Sequence, residues 1–211
     1  MNDSTDNALL RRWRDGDSAA GKQLFERHYS SVERFFHNKV SEPADLIQRT
    51  FLACVESPER YRGDSKFRTF LLGIAHRLVC NHFRDRIGPR NHASLESTSV
   101  EDMGQTPSEV LEGAEEERML LTALRRLPLE LQVVLELYYW ERLTMSELAE
   151  VLDIPPGTVA NRLRRSKQKV KVTLTELATS PQKLHSTLTR LDDWADQIRG
   201  KLSNAKSAAR K

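Results

Sequence analysis

Apolar residues recur every three or four positions along most of this chain, the period of helices buried on one face. Leu9, Leu10 and Trp13 share a face of a first helix over about 8–14, which Asp15-Gly16-Asp17 breaks. A second helix is predicted over 18–40, carrying Leu24, Phe25, His28, Val32, Phe35 and Phe36. Ser41-Glu42-Pro43 interrupts, and Pro43 suits the first turn of a third helix with Leu46, Ile47, Thr50, Phe51 and Val55, which ends before Ser57-Pro58. After a loop over 59–64, Ser65 is positioned to cap a fourth helix to about Arg86, with Phe67, Phe70, Leu71, Ile74, Leu78 and Phe83 inside.

The pattern lapses at Gly88-Pro89, where Ser, Thr, Pro, Gly and acids replace periodic apolar residues. It resumes near Glu115 with Met119, Leu120, Leu124 and Leu127, and Pro128 punctuates it. Val133, Val134, Leu137 and Tyr138 mark a helix over 129–140; Thr144 caps a short one through Leu152; a last one runs over 157–172. Beyond Ser180-Pro181, Leu184, Leu188, Leu191, Trp194, Ile198 and Leu202 make an amphipathic stretch of about six turns. The expected fold class is all-α: two small helical domains, 8–87 and 115–171, joined by a flexible acidic linker over 88–114. An extension over 172–211 follows, with a helix at about 181–203 and a disordered basic tail.

Composition agrees with helix. Leucine is abundant, and Gly 9 and Pro 8 are few for 211 residues. No uncharged apolar run approaches the roughly 20 residues of a membrane span, and the N-terminus carries no basic-then-apolar export signal. Cys54 and Cys80 are too few for a disulfide scaffold. A reducing, cytoplasmic home without membrane insertion is expected. The net charge of +3 is unevenly spread: residues 96–118 hold eight acids and one base, whereas 160–211 hold thirteen bases and four acids. Basic segments flanking an acidic waist fit either a polyanion partner or merely solvated faces.

Residues 145–163 carry a helix-turn-helix pattern. Leu148 and Leu152 line one face of the first helix, Ala149 is small where crossing helices approach, Ile154 plugs the turn, and Val159 and Leu163 seat the second helix. The remaining face of that helix shows Asn161, Arg164, Arg165 and Gln168. Arg pairs two acceptors on guanine and Asn pairs with adenine, so this face suits the DNA major groove. A plain helical hairpin is the competing reading, and the basic run Arg162-Arg164-Arg165-Lys167-Lys169 weighs against it.

Three strings in the first unit, Leu10 to Asp17, Asp45-Leu46-Ile47-Gln48-Arg49-Thr50-Phe51 and Tyr61 to Ala75, resemble the promoter-melting domain of bacterial extracytoplasmic-function sigma factors. Leu127 to Leu137 and the helix-turn-helix look like the second domain of that family, in the right order, so the resemblance covers about residues 8–171. It implies a protein that is not itself an enzyme, needs no cofactor, and gives core RNA polymerase its promoter specificity. By resemblance Asp45, Leu46, Ile47 and Gln48 dock on the polymerase clamp. The physics offered for this is that Leu46 and Ile47 cannot both enter one small core. The loop from Tyr61 to Ser65 matches the one that captures a flipped −10 base: Tyr61 is either an aromatic platform for that base or a cover for the domain's own core. Arg62, Lys66 and Arg68 are expected to hold phosphates, and Arg77, Asn81 and Arg84 share the next helix face. Asn161, Arg162, Arg164 and Arg165 are expected to read the −35 duplex. Promoter DNA and core RNA polymerase are thus the implied partners, with an anti-sigma factor as a further partner class.

The sequence departs from the family pattern in places. Phe70 stands where Trp is common, Arg77 where Asn is common, and Ala160-Asn161 where a basic residue and Ser are common, so both base preferences should differ. The family usually ends soon after Lys171, which makes the extension additional. Its leucine stripe suits packing on its own protein, a partner helix or a regulatory mask, while Asp192, Asp193 and Asp196 disfavour an anionic membrane. Two other functions compete. A stand-alone helix-turn-helix regulator acting without polymerase leaves the first unit's motifs unexplained. A metal enzyme would use His76 and Cys80, which share a face, but His82 points elsewhere and Cys54 is unforced.

Overall fold

The computed structural model describes residues 3–56, 61, 65–87, 97–102 and 115–177. Among them are eight helices and no strand: α1 (Asp3–Arg14), α2 (Ser18–His37), α3 (Ala44–Glu56), α4 (Phe67–Ile87), α5 (Glu115–Arg125), α6 (Leu129–Tyr139), α7 (Met145–Leu152) and α8 (Pro156–Leu177). Arg62 and the helix expected at about 181–203 lie outside the described residues.

Local chemistry explains most boundaries. Gly16 takes φ +98 between α1 and α2, and Asp17 caps α2 by accepting from the Ala20 amide at 3.1 Å. That amide, with the Arg12 guanidinium beside it, holds the Asp17 carboxyl below its usual value. A Cβ on Gly21 would stand 2.5 Å from the Trp13 ring, so glycine there lets α1 lie close on α2. The helix α1 begins earlier than the apolar pattern predicts. Its Asp6 is buried beside His28 Nε2 at 2.8 Å and Arg27 Nε at 2.9 Å, contacts invisible to a periodicity argument. At the other end α8 runs past residue 172 because Leu174 is fully buried.

The first unit, α1–α4, closes over an aromatic core. Phe25 meets Trp13 edge-on at 5.1 Å, and Tyr61 meets Phe67 edge-on at 5.4 Å. The second unit packs α8 on α5, α6 and α7. Part of the expected linker is not a free tether: Val100 is fully buried, and the Thr98 carbonyl accepts the Leu129 amide at 3.1 Å. Pro128 precedes α6 without a side-chain cap, so this carbonyl satisfies an amide at the helix start that would otherwise lack a partner.

The two units also pack on each other. The helix α4 lies along α7, where a Cβ on Gly73 would stand 3.8 Å from the Val151 carbonyl oxygen. At the end of α2, Lys39 is fully buried against Glu136 of α6. Asn38 Nδ2 donates to Glu136 Oε1 at 3.0 Å, and Gln132 Nε2 donates to the Asn38 carbonyl at 3.1 Å. Arg34 Nε donates to Glu141 Oε1 at 2.9 Å.

Candidate nucleic-acid and polymerase interface

The helix-turn-helix is built as a cap, a turn and a seated second helix. Thr144 and Glu147 form a reciprocal capping box at the start of α7. Asp153 closes α7 in the left-handed region at φ 53, and the Ile154 amide donates to the Ala149 carbonyl at 3.2 Å. Val159 is fully buried and Leu163 nearly so. Ser166 lies on the same inner face, its hydroxyl 2.9 Å from the Leu131 carbonyl oxygen. The opposite face of α8 therefore turns Asn161, Arg164, Arg165 and Gln168 into solvent. Arg164 leans on Asn161 at 3.5 Å, and Lys167 lies over the rings of Tyr138 and Tyr139 at 5.1 and 5.3 Å. Arg162 stands apart from these: it is half-buried and pairs with Glu130 of α6. Its position along α8, one past Asn161, rotates it inward, so it braces the domain instead of joining the outward face.

In the first unit, Leu46 and Ile47 are both buried, at 2% and 5% exposure. The argument that one core cannot take both is therefore wrong: α3 packs between α2 and α4, and adjacent positions reach either neighbour. Asp45 and Gln48 are exposed as expected. The apolar residues that do face solvent on α3 are Leu52 and Val55, each 48% exposed, with Tyr29 of α2 stacked on Phe51 nearby. The sequence pattern grouped Val55 with the other apolar positions of this helix and passed over Leu52, although 45, 48, 52 and 55 trace one helix face.

Tyr61 is buried, and its hydroxyl donates to the Ser65 carbonyl at 2.5 Å. Its ring covers the domain's own core against Phe67 and Phe70, which is the second of the two readings offered for it. As placed it offers no platform to a base. Arg77, Asn81 and Arg84 are exposed on α4, where Arg84 donates to Asn81 Oδ1 at 3.1 Å. Lys66 pairs with Glu147 across the two units at 3.1 Å, and Arg68 lies 3.6 Å from Glu141.

His76 Nε2 and Cys80 Sγ are 3.4 Å apart. Burial, with Arg162 and Lys39 nearby, pushes the His76 imidazole down to about 4, and burial pushes the Cys80 thiol up to about 11. That pair resists charging, and among the described residues no three His, Cys, Asp or Glu converge as metal ligands. Among the described residues no helix is long and apolar enough to cross a membrane.

The sequence matches two family models, sigma-70 region 2 over residues 24–87 and sigma-70 region 4 over residues 117–170. It is 29% identical over 177 residues to the ECF RNA polymerase sigma-E factor of Haemophilus influenzae, covering 79% of this chain and 94% of that protein. Against the protein of that name from Escherichia coli it is 26% identical over 176 residues, covering 79% and 92%. The fold is similar to CnrH solved with the cytosolic domain of CnrY, with a TM-score of 0.59 at 19% identity, covering 82% of this chain and 99% of that one. It is also similar to the sigma factor RpoE solved with the anti-sigma factor NepR from Bartonella quintana, with a TM-score of 0.58 at 15% identity, covering 73% and 96%. With both regions present in order, and the helix-turn-helix and its partner bundle folded around them, the chain belongs to the extracytoplasmic-function sigma factors of the sigma-70 family.

Proposed function

We propose that this chain docks on core RNA polymerase and directs it to promoters, with residues 8–87 serving docking and −10 melting and residues 115–171 reading the −35 duplex. The observation that carries the reading is the outward face of α8. There Asn161, Arg164 and Arg165 form a polar and basic strip on a helix whose other side is seated in the domain core. Such a strip supplies base-edge contacts from Asn and Arg and phosphate contacts from its flanking lysines. On the first unit, Asp45, Gln48, Leu52 and Val55 make a mixed polar and apolar strip suited to a helical partner. Arg77, Asn81 and Arg84 suit the backbone of a separated strand.

The polymerase carries the chemistry, and the chain contributes recognition. Work on promoter DNA places it in the cytoplasm. An anti-sigma partner is included in the proposal, since the two solved folds named above were each captured with a second protein, in one case an anti-sigma factor.

The test is transcription in vitro with purified core polymerase on a library of genomic fragments. The expected result is discrete new starts, with shared motifs upstream, only when the chain is present. Overturning it would take a chain that neither binds core nor creates starts, yet binds specific duplexes alone.

A further inference from the structure

Ser166 fixes how α8 turns against α6, its hydroxyl 2.9 Å from the Leu131 carbonyl oxygen. With that face inward, Gln168 points into solvent. Lys167 and Lys169, its two neighbours, stand about 100° round the helix to either side of it, on opposite edges of the outward face. The two edges differ. On one, the Lys167 ammonium lies 5.1 Å from the centre of the Tyr138 ring and 5.3 Å from that of Tyr139. Those rings end α6 and meet edge-on at 5.0 Å and 89°, so they form a corner with the ammonium about equally near both. On the other edge, the Lys169 ammonium has no ring or carboxylate partner among the described residues.

The kind of partner matters. A carboxylate that steadied Lys167 would also cancel its charge, as Glu130 does for Arg162 on the inner side of the same helix. Aromatic rings attract a cation through their quadrupole and leave its charge intact. Lys167 is exposed, so the N–H donors turned away from the rings remain open to an acceptor. A reading helix with its side chains is about as wide as the major groove, about 12 Å, so residues on its edges come up against the phosphate backbones. A free lysine gives up much rotamer freedom when it binds there. One already steadied gives up less.

We infer that Tyr138 and Tyr139 are positioning residues for the −35 duplex: their rings hold Lys167 at one wall of the groove, where its ammonium takes a backbone phosphate. The contact is blind to sequence and sets the register of α8, leaving base choice to Asn161, Arg164 and Arg165. This rests on the reading of α8 as the −35 helix.

The test uses the full chain assembled with core polymerase, on the duplex upstream element recovered from the transcription starts, titrated over a range of salt. Lys167→Ala should make the slope of log affinity against log salt shallower by about 0.9, the share of one phosphate, and weaken matched and mismatched duplexes alike. The pair Tyr138→Leu, Tyr139→Leu keeps the lysine. It should keep the slope and lose about two- to tenfold in affinity, the cost of ordering one long side chain. The pair Tyr138→Phe, Tyr139→Phe keeps both rings and should bind as the native chain does. In a Lys167→Ala background the leucine pair should cost nothing more, because the rings act through that lysine. Circular dichroism checks folding, and each leucine change made singly replaces the pair if the pair unfolds. An unchanged salt slope in Lys167→Ala, a leucine loss that persists without the lysine, or a phenylalanine pair that binds as poorly as the leucine pair overturns the inference and leaves the promoter reading standing. A chain that makes no starts yields no such duplex, and that outcome sinks the promoter reading and this inference together.

Discussion

Glu147 of α7 stands 3.1 Å from Lys66 at the start of α4 through one carboxylate oxygen, while the other lies 2.8 Å from the Thr144 backbone nitrogen. One side chain therefore closes a helix cap and ties two units together. Burial alone would raise its carboxyl, but the Thr144 amide, the Thr144 hydroxyl and Lys66 together hold it below the usual value. Its contribution to stability is present above the unfolded value of about 4.5 and is lost as pH falls through the depressed one. Urea unfolding of the native chain and Glu147→Gln should differ at pH 7 and converge towards pH 3. A gap that persists at low pH would mean the carboxylate charge is not what matters.

Thr144→Ala removes the other half of the box. An N-cap lost in this way costs about 1 kcal/mol, which lowers the melting temperature by roughly 2–4 °C for a chain of this size unfolding as one unit. Calorimetry reads this directly, and Thr144→Ser should recover most of it.

Leu46 and Leu52 lie on one helix and should behave oppositely. Leu46→Ala empties a buried site and should cost about 2–5 kcal/mol of stability. Leu52→Ala, half exposed, should leave stability within about 0.5 kcal/mol and weaken core polymerase binding. Thermal unfolding and a binding titration on the same two variants separate docking from packing.

Arg165 and Arg162 make a second such pair. If Arg165 reads a base edge, Arg165→Ala should cost about 1–3 kcal/mol of discrimination between promoters. An equal loss on every sequence would mark a phosphate contact. Arg162→Ala should act mainly on stability, because it removes the pair with Glu130 that braces α8 on α6. Binding to matched and mismatched −35 duplexes, beside unfolding curves, distinguishes the two.

His76 should make the folded chain acid-sensitive. Its ring is held neutral by burial, and Arg162, Lys39, Arg84 and Arg77 repel any added proton, while Glu150 and Asp153 line a cleft with it. The unfolded chain takes up that proton near 6.5 and the folded one only near 4, so stability falls as pH drops between them, by about 1.4 kcal/mol per unit of separation. His76→Gln should flatten the stability profile across that window. An unchanged profile would mean the ring already rehydrates in the folded chain.

Local rules carried much of the architecture. Asp15-Gly16-Asp17 marked the first turn and Thr144 the start of α7, because caps and turns depend on residues a few positions apart. The outward strip of Asn161, Arg164 and Arg165 was likewise readable from helical period once Val159 and Leu163 were assigned inward. The same period leaves Arg162 off that strip, but its pairing with Glu130 was not readable, because Glu130 comes from another helix. Tyr61 left two roles open for the same reason: whether a loop ring covers its own core depends on how Phe67 and Phe70 are packed.

What the sequence determined by itself was therefore helical: two apolar-striped units, their breaks, their family motifs and the sign of each charged segment. Only the tertiary structure decided which charges are buried together. Lys39 and Glu136 look like ordinary surface residues in sequence, and each becomes tolerable in the interior because the other is there, with Asn38 and Gln132 donating to the carboxylate and the Phe35 carbonyl accepting from the ammonium. Helical period is set by bonds between near neighbours along the chain, whereas the pairing of distant charges is set by how whole helices pack, and no short window of residues contains that information.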